Sequence, residues 1–227
     1  RAGQVLRVDI LQLEVGAFGM NLMAHGPNSR GLLADDFPQG SVRHFRFDRE
    51  RRTAEFADGI RVPLRPFLGI LGVAPKDEGA HSSTLPGPFG GNIDCADLVA
   101  GTTLFLPIQV DGALFYAGDA HAVQGHGEVN GTALETSMEL ARLRLSVESG
   151  PSISAPRAET PTHWITMDFD RDLRTAARLA LTAMIDHLTS FTRLARDDAY
   201  RLCSLAADLV VTQVVNGNQG VHVRLPK

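Results

Sequence analysis

The chain has 227 residues, 44% of them hydrophobic, and 22 Lys and Arg against 26 Asp and Glu give a formal net charge of −4. That length supports one large domain or two small ones, and the missing basic excess argues against nucleic acid as a partner. No apolar run approaches the length of a membrane span and no signal-peptide pattern is present, so a soluble, cytoplasmic protein without a membrane partner is expected.

Residues 4–15 alternate Leu6, Val8 and Ile10 with Arg7 and Asp9, a strand signature. The alternation begins almost at the first residue, with no initiator methionine, and reads as part of something longer. Residues 16–40 are rich in Gly, Pro and Asn and read as loop. "SVRHFRFDRERRTAEFADGIRVPL" predicts two strands around a charged turn. "PFLGILGVAP", short and bounded by prolines, predicts a buried strand or close backbone packing.

A second Gly/Pro-rich stretch covers residues 81–101. "TTLFLPIQVDGALFYAGDAH" predicts two strands about a turn at Asp111-Gly112. In "LARLRLSVE", Ala141, Leu143, Leu145 and Val147 alternate with Arg142, Arg144 and Ser146, which predicts one buried face and one wet face. "THWITMDF" is a further strand. After residue 169 the period changes: Leu173, Ala176, Ala177, Ala180, Leu181, Met184, Ile185 and Leu188 define the apolar face of a helix capped by Asp170. A second helix places Ala199, Leu202, Cys203 and Ala206 inward, with Asp197 and Asp198 in its first turn. "DLVVTQVVNGNQGVHVRLPK" closes with strand, Asn-Gly turn and strand. The class is α+β, mainly β, with a C-terminal helix pair and β-hairpin. We divide it into a β-rich site region, residues 1–150, and an α/β region packed on it, residues 151–227.

"YAGDAHAVQGHGE" concentrates Asp119, His121, Gln124, His126 and Glu128 among three glycines. If the backbone stays extended, Asp119 and His121 share a face, and the glycine-rich turn folds Glu128 back toward them. An imidazole among carboxylates suits a divalent cation such as zinc; a polar hairpin tip with hydrogen-bonded histidines has the same composition. "GGNID" adds Asn92 and Asp94, two alternating polar residues after two glycines, and its plainer reading is an Asx turn. Glu135 joins the same site or starts a strand. Cys95 is a nucleophile only with a base beside it, and otherwise an inert buried thiol. Both cysteines stand outside any CxxC pair, in keeping with a reducing compartment. His25, His44, His163, His187 and His222 have no partnered spacing and read as structural or surface. Ser82 and Ser83 lack the context of a nucleophile elbow, and no glycine cluster has phosphate-loop spacing.

Taken together, "PFLGILGVAP", "LPGPFGGNIDCADLVAGTTLFLPIQVDGALFYAGDAHAVQGHGEVNGTALE" and "LAADLVVTQVVNGNQGVHVRLPK" resemble the acetamidase/formamidase family from the first strand to the end. The resemblance implies a β-sandwich-like core and metal-dependent hydrolysis of short aliphatic amides to carboxylate and ammonia. By motif it carries over Asn92 and Asp94, then Asp119, His121, Gln124 and Glu128, then Glu135. His126 stands where the commonest family form has aspartate. The family also has an upstream "TGP…VEGA" segment that these residues lack, so an additional N-terminal polypeptide is expected, either continuous with this chain in a longer protein or a companion fragment retained after cleavage.

The site expectation is therefore metal on a subset of Asp94, Asp119, His121 and Glu128, with zinc first and calcium second. Glu128 or Glu135 serves as general base and Asn92 as donor to the oxyanion. The partners implied are a small amide substrate and further copies of the chain in a homo-oligomer. A catalytically silent metal- or ligand-binding subunit and a cysteine amidase using Cys95 are the alternative functions.

Overall fold

Residues 1–24 and 29–227 are described by the computed structural model; His25 lies outside them. The strands among these residues are β1 (Val5–Met23), β2 (Ser41–Asp48), β3 (Thr53–Ala57), β4 (Ile60–Pro63), β5 (Phe67–Gly72), β6 (Gly90–Asn92) and β7 (Thr103–Pro107). They continue with β8 (Tyr116–Val123), β9 (Leu134–Glu148), β10 (Arg157–Glu159), β11 (His163–Asp170), β12 (Asp208–Gln213) and β13 (Gln219–Pro226). Two helices, α1 (Leu173–Phe191) and α2 (Arg196–Ala206), stand between β11 and β12. The α+β, mainly β reading holds.

The sheet is antiparallel and runs β12, β13, β11, β10, β7, β1, β9, β8, β5, β6, with β2, β3 and β4 branching from β1. Leu68 and Leu71 of β5 share a core with Leu104 and Leu106 of β7 and with Ile165 and Met167 of β11. Strands far apart in sheet order meet because the sheet curls over its own apolar face. Each such aliphatic side chain contributes roughly 1.5–3 kcal/mol when fully buried.

The two ends of the curl also touch. Gly127 N–H donates to Thr212 O at 3.0 Å, and Val214 N–H donates to Gly127 O at 3.1 Å. Asn216, between β12 and β13, donates from Nδ2 to Asn92 O at 3.2 Å.

A second core joins Ala176, Ala180, Met184 and Leu188 of α1 to Val221, Val223 and Leu225 of β13. The cap of α1 is Asp172, whose side chain accepts from Thr175 N–H. Asp170, which the sequence favoured, instead accepts from Asp172 N–H at 2.8 Å. We expect Asp172→Ala to lower the thermal unfolding midpoint and Asp170→Ala to lower it less.

Several sequence readings need correction. Residues 16–23 continue β1 rather than forming a loop, and β2 takes the edge that β7 leaves after Asp9. The glycines there serve close approach: a Cβ on Gly19 would lie 2.4 Å from Glu135 O and 2.7 Å from the Phe47 ring. Residues 41–64 hold three strands, not two. β7 and β8 are both strands but not partners, because Gly112, Ala113 and Leu114 are all left-handed and carry the chain elsewhere in the sheet. Ala206 faces solvent. Leu145 and Val147 of β9 are 48% and 53% exposed, so the apolar face of that strand end is uncovered in a single chain.

Candidate active site and metal centre

The polar cluster lies where the ends of the curled sheet meet. His121 of β8 pairs with Phe67 of β5 on one side and with Glu135 of β9 on the other. Its ring is buried, edge-on to the Phe67 ring at 4.9 Å. Nδ1 faces Asp94 Oδ1 at 3.9 Å, while Nε2 faces Asp119 Oδ1 and Glu135 Oε2, both at 3.3 Å. The imidazole thus divides the carboxylates into two groups. Asp94 and Glu128 lie on the buried side, and Asp119 and Glu135 on the partly exposed side.

Local backbone brings these residues together. Asp94, Asp119 and Glu128 are three of the few non-glycine residues in the left-handed region, with φ of 50°, 59° and 49°. Such conformations cost of order 1–3 kcal/mol and cluster at functional sites. Asp119 and His121 do converge, but through a left-handed Asp119 rather than through continued extension. Gly127, at φ 100°, precedes Glu128 and permits the fold-back. Gly69 of β5 leaves the space into which the side chains point: a Cβ there would lie 2.3 Å from Asp94 Oδ1 and 2.6 Å from Asp119 Oδ2.

Hydrogen bonds hold the outer atoms and leave the inner ones free. Asp94 Oδ2 accepts from Asn216 Nδ2 at 2.5 Å, and Asp94 O accepts from Gln124 Nε2 at 2.8 Å. Glu135 Oε1 accepts from Ala133 N–H at 2.9 Å. Asp94 Oδ1, His121 Nδ1, Glu128 Oε2 and Asn92 Oδ1 are buried with no hydrogen-bond partner. Unsatisfied buried polar atoms are rare enough to need a cause. One nitrogen and two carboxylate oxygens within 4.8 Å of one another form a set that a divalent cation satisfies.

The protein's own electrostatics agree. Burial, reinforced by the Asp94 charge, pushes the Glu128 carboxyl up to about 9. Burial also raises Asp94 to about 6. For His121 burial favours the neutral ring, yet hydrogen bonds to Asp119 and Glu135 outweigh it and lift the imidazole to about 11. Near pH 7 Glu128 and His121 therefore both carry protons, which a cation must displace. We expect about two protons released per ion bound near neutral pH and an affinity that rises with pH, most steeply below about 9 and then on toward 11. Calorimetry in buffers of different ionisation enthalpy reads this directly, and a proton-neutral titration would rule out this ligand set.

A cavity of about 270 Å³ opens beside Glu128, walled by Val62, Val123, Val129 and Leu134 and edged by Gln124 and His126. A larger one, about 690 Å³, lies between α1 and residues 148–157 and contains none of the clustered carboxylates. The smaller cavity is the one next to the chemistry. Cys95 is fully buried, with Sγ 4.0 Å from His222 Nδ1, but that nitrogen is already within 2.7 Å of Thr212 Oγ1. We expect a brief thiol-alkylating treatment of the folded protein to leave Cys95 unmodified.

Sequence reasoning missed Asn216, Gly69, Asp97 and His222. His222, read as structural or surface, is fully buried and 3.3 Å from Asp97. Gly69 carried a usable signal, a glycine inside an apolar strand. The others carried none, because Asn216 meets Asp94, and His222 meets Asp97, across more than a hundred residues.

Fold and site together define a mainly β protein with a buried imidazole set between carboxylates where a curled sheet closes. Residues 77–227 match the model of the Acetamidase/Formamidase family, and the chain belongs to that family. It is 42% identical over 94 residues to an acetamidase of Mycolicibacterium smegmatis, an alignment covering 36% of this chain and 23% of that protein. The crystal structure of an acetamidase from Bacillus halodurans superposes with a TM-score of 0.93 at 33% identity, covering all of this chain and 74% of that one. An acetamidase structure from Yersinia enterocolitica gives 0.90 at 27% identity, with 70% of that chain covered. The chain spans less than half the length of the curated relatives it matches.

Proposed function

We propose that the protein hydrolyses short, uncharged aliphatic amides with the aid of a divalent cation. The observation that carries this is the convergence of Asp94, His121 and Glu128, each with a buried atom that has no hydrogen-bond partner, beside a cavity lined in part by Val62, Val123, Val129 and Leu134. Family membership supplies the reaction class.

Asp94, His121 and Glu128 hold the cation, zinc in preference to calcium because an imidazole is among the ligands. When bound, it supplies polarisation of the amide carbonyl. Asp119 and Glu135 accept from His121 Nε2–H, which fixes the tautomer that leaves Nδ1 free as a donor atom. Glu135, anchored at Oε1 by Ala133 N–H, takes the proton of the attacking water at Oε2 and returns it to the leaving nitrogen. The Asn92 side-chain amide donates to the carbonyl oxygen as negative charge develops. The separation of roles is testable: Glu135→Gln keeps bound metal and loses turnover, whereas Glu128→Gln loses metal first.

The cavity walls supply no Lys or Arg to clamp a carboxylate, and membership of the acetamidase/formamidase family favours small acyl groups. Formamide and acetamide should outpace butyramide by roughly tenfold or more, about the scale that a methylene or two contributes in a tight apolar pocket. Ammonia release from these amides and from a dipeptide measures it. A dipeptide turned over fastest would refute the substrate class.

The exposed row of Leu145 and Val147, with Leu11 of β1 at 44% exposure, supports self-association into a homo-oligomer. A monomeric mass in solution at working concentration would refute that.

A further inference from the structure

We propose that Asp97, His126 and His222 form a second divalent-cation site of the zinc class, distinct from the centre built on His121. Their three ligand atoms lie within 4.8 Å of one another. His222 Nε2 is 3.3 Å from Asp97 Oδ2, and His126 Nε2 is 4.0 Å from Asp97 Oδ1. Tetrahedral zinc with bonds of about 2.0–2.1 Å separates neighbouring ligand atoms by roughly 3.3–3.4 Å. The His222–Asp97 pair already has that spacing. The His126 side chain, 32% exposed, has room to close the remainder.

The orientation of His222 is the second observation. Its ring is fully buried on β13, yet Nε2 has no hydrogen-bond partner. Nδ1 lies 2.7 Å from Thr212 Oγ1, itself buried, a contact in which either atom can be the donor. That contact engages Nδ1 and leaves Nε2 as the ring nitrogen facing Asp97 and His126, the placement that outer-sphere partners give metal-ligating histidines. Two imidazoles and one carboxylate leave a fourth position open, on the side where His126 edges the cavity next to Glu128.

Two arginines oppose a cation here. Arg65 Nη2 is 2.8 Å from Asp97 Oδ1 and Arg224 Nη1 is 3.5 Å from Oδ2. Their side chains are 53% and 34% exposed, so solvent screens their repulsion. A carboxylate also has lone-pair sites beyond the two they use. A cation bound here would tie together the turn that carries Asp94, the loop that carries Glu128, and β13. Those are the segments that meet where the sheet closes.

The test is zinc stoichiometry on the full chain, stripped with a chelator, reloaded and desalted, with cobalt(II) absorption as a report of coordination. The parent is expected to hold two ions per chain, and His126→Ala, His222→Gln and His121→Ala one each. His126→Ala at a partly exposed position remains decisive if His222→Gln fails to fold. A parent holding one ion that His126→Ala leaves in place would overturn the proposal, as would an arginine-neutralised cluster that takes no zinc. A single ion lost with His126→Ala but kept in His121→Ala would support this site and sink the His121 centre.

Discussion

Alanine at position 121 should remove one bound divalent ion per chain and, with it, amide hydrolysis. His121 stands between the two sets of carboxylates, facing Asp94 through Nδ1 and Asp119 and Glu135 through Nε2. Deleting the ring leaves four acidic side chains around a buried void. Uncompensated buried charge is avoided by protonation or movement, and either outcome dismantles the ligand set. We expect turnover to fall by about a thousandfold or more, the scale of losing an essential electrostatic element. The folded state should weaken as well, by several kcal/mol, as for breaking a buried charged pair. Metal analysis and ammonia release on parent and variant measure the first two, and denaturant unfolding measures the third. Unchanged metal content would demote His121 to a structural histidine.

Local chemistry was legible in the sequence where one segment held all the information. The period of α1 is written in eight apolar residues, of which Ala176, Ala180, Met184 and Leu188 are buried and Leu173, Ala177, Leu181 and Ile185 are partly buried against the same core. The 119–128 motif and Asn92-x-Asp94 were visible because strand and turn hold their members on neighbouring segments. What escaped was set by the curl of the sheet. Asp97 and His222 meet only because β13 returns to the β5–β8 end, and no local spacing encodes that. The glycines of β1 misled for a related reason: Gly16 and Gly19 carry no left-handed φ, and their neighbours Ser137, Glu135 and Phe47 explain them instead. A glycine chosen for close approach and a glycine chosen for a turn look alike in one sequence.

Gly69→Ala should disrupt the site far beyond the size of the substitution. The position is not left-handed, so alanine strains no backbone dihedral there and the effect is steric alone. The added Cβ would sit 2.3 Å from Asp94 Oδ1, 2.6 Å from Asp119 Oδ2 and 2.9 Å from His121 Cε1. None of these atoms has an easy retreat. Asp94 is fixed by Asn216 and by its left-handed backbone, and the His121 ring by Phe67 and its strand partners. Overpacking of this kind costs typically 1–3 kcal/mol. Here the displaced atoms are the ones proposed to hold the cation, and misplacement by an ångström can cost about a hundredfold in rate. We therefore expect weakened metal binding and at least that loss in ammonia release, with a modest fall in unfolding free energy. Gly118→Ala is the matched control, one strand away in β8, where an added Cβ meets nothing within 4 Å. It should behave as the parent does. Parent-like metal content and rate in Gly69→Ala would mean that Asp94, Asp119 and His121 do not converge on that point, and the centre would have to be sought elsewhere in the fold.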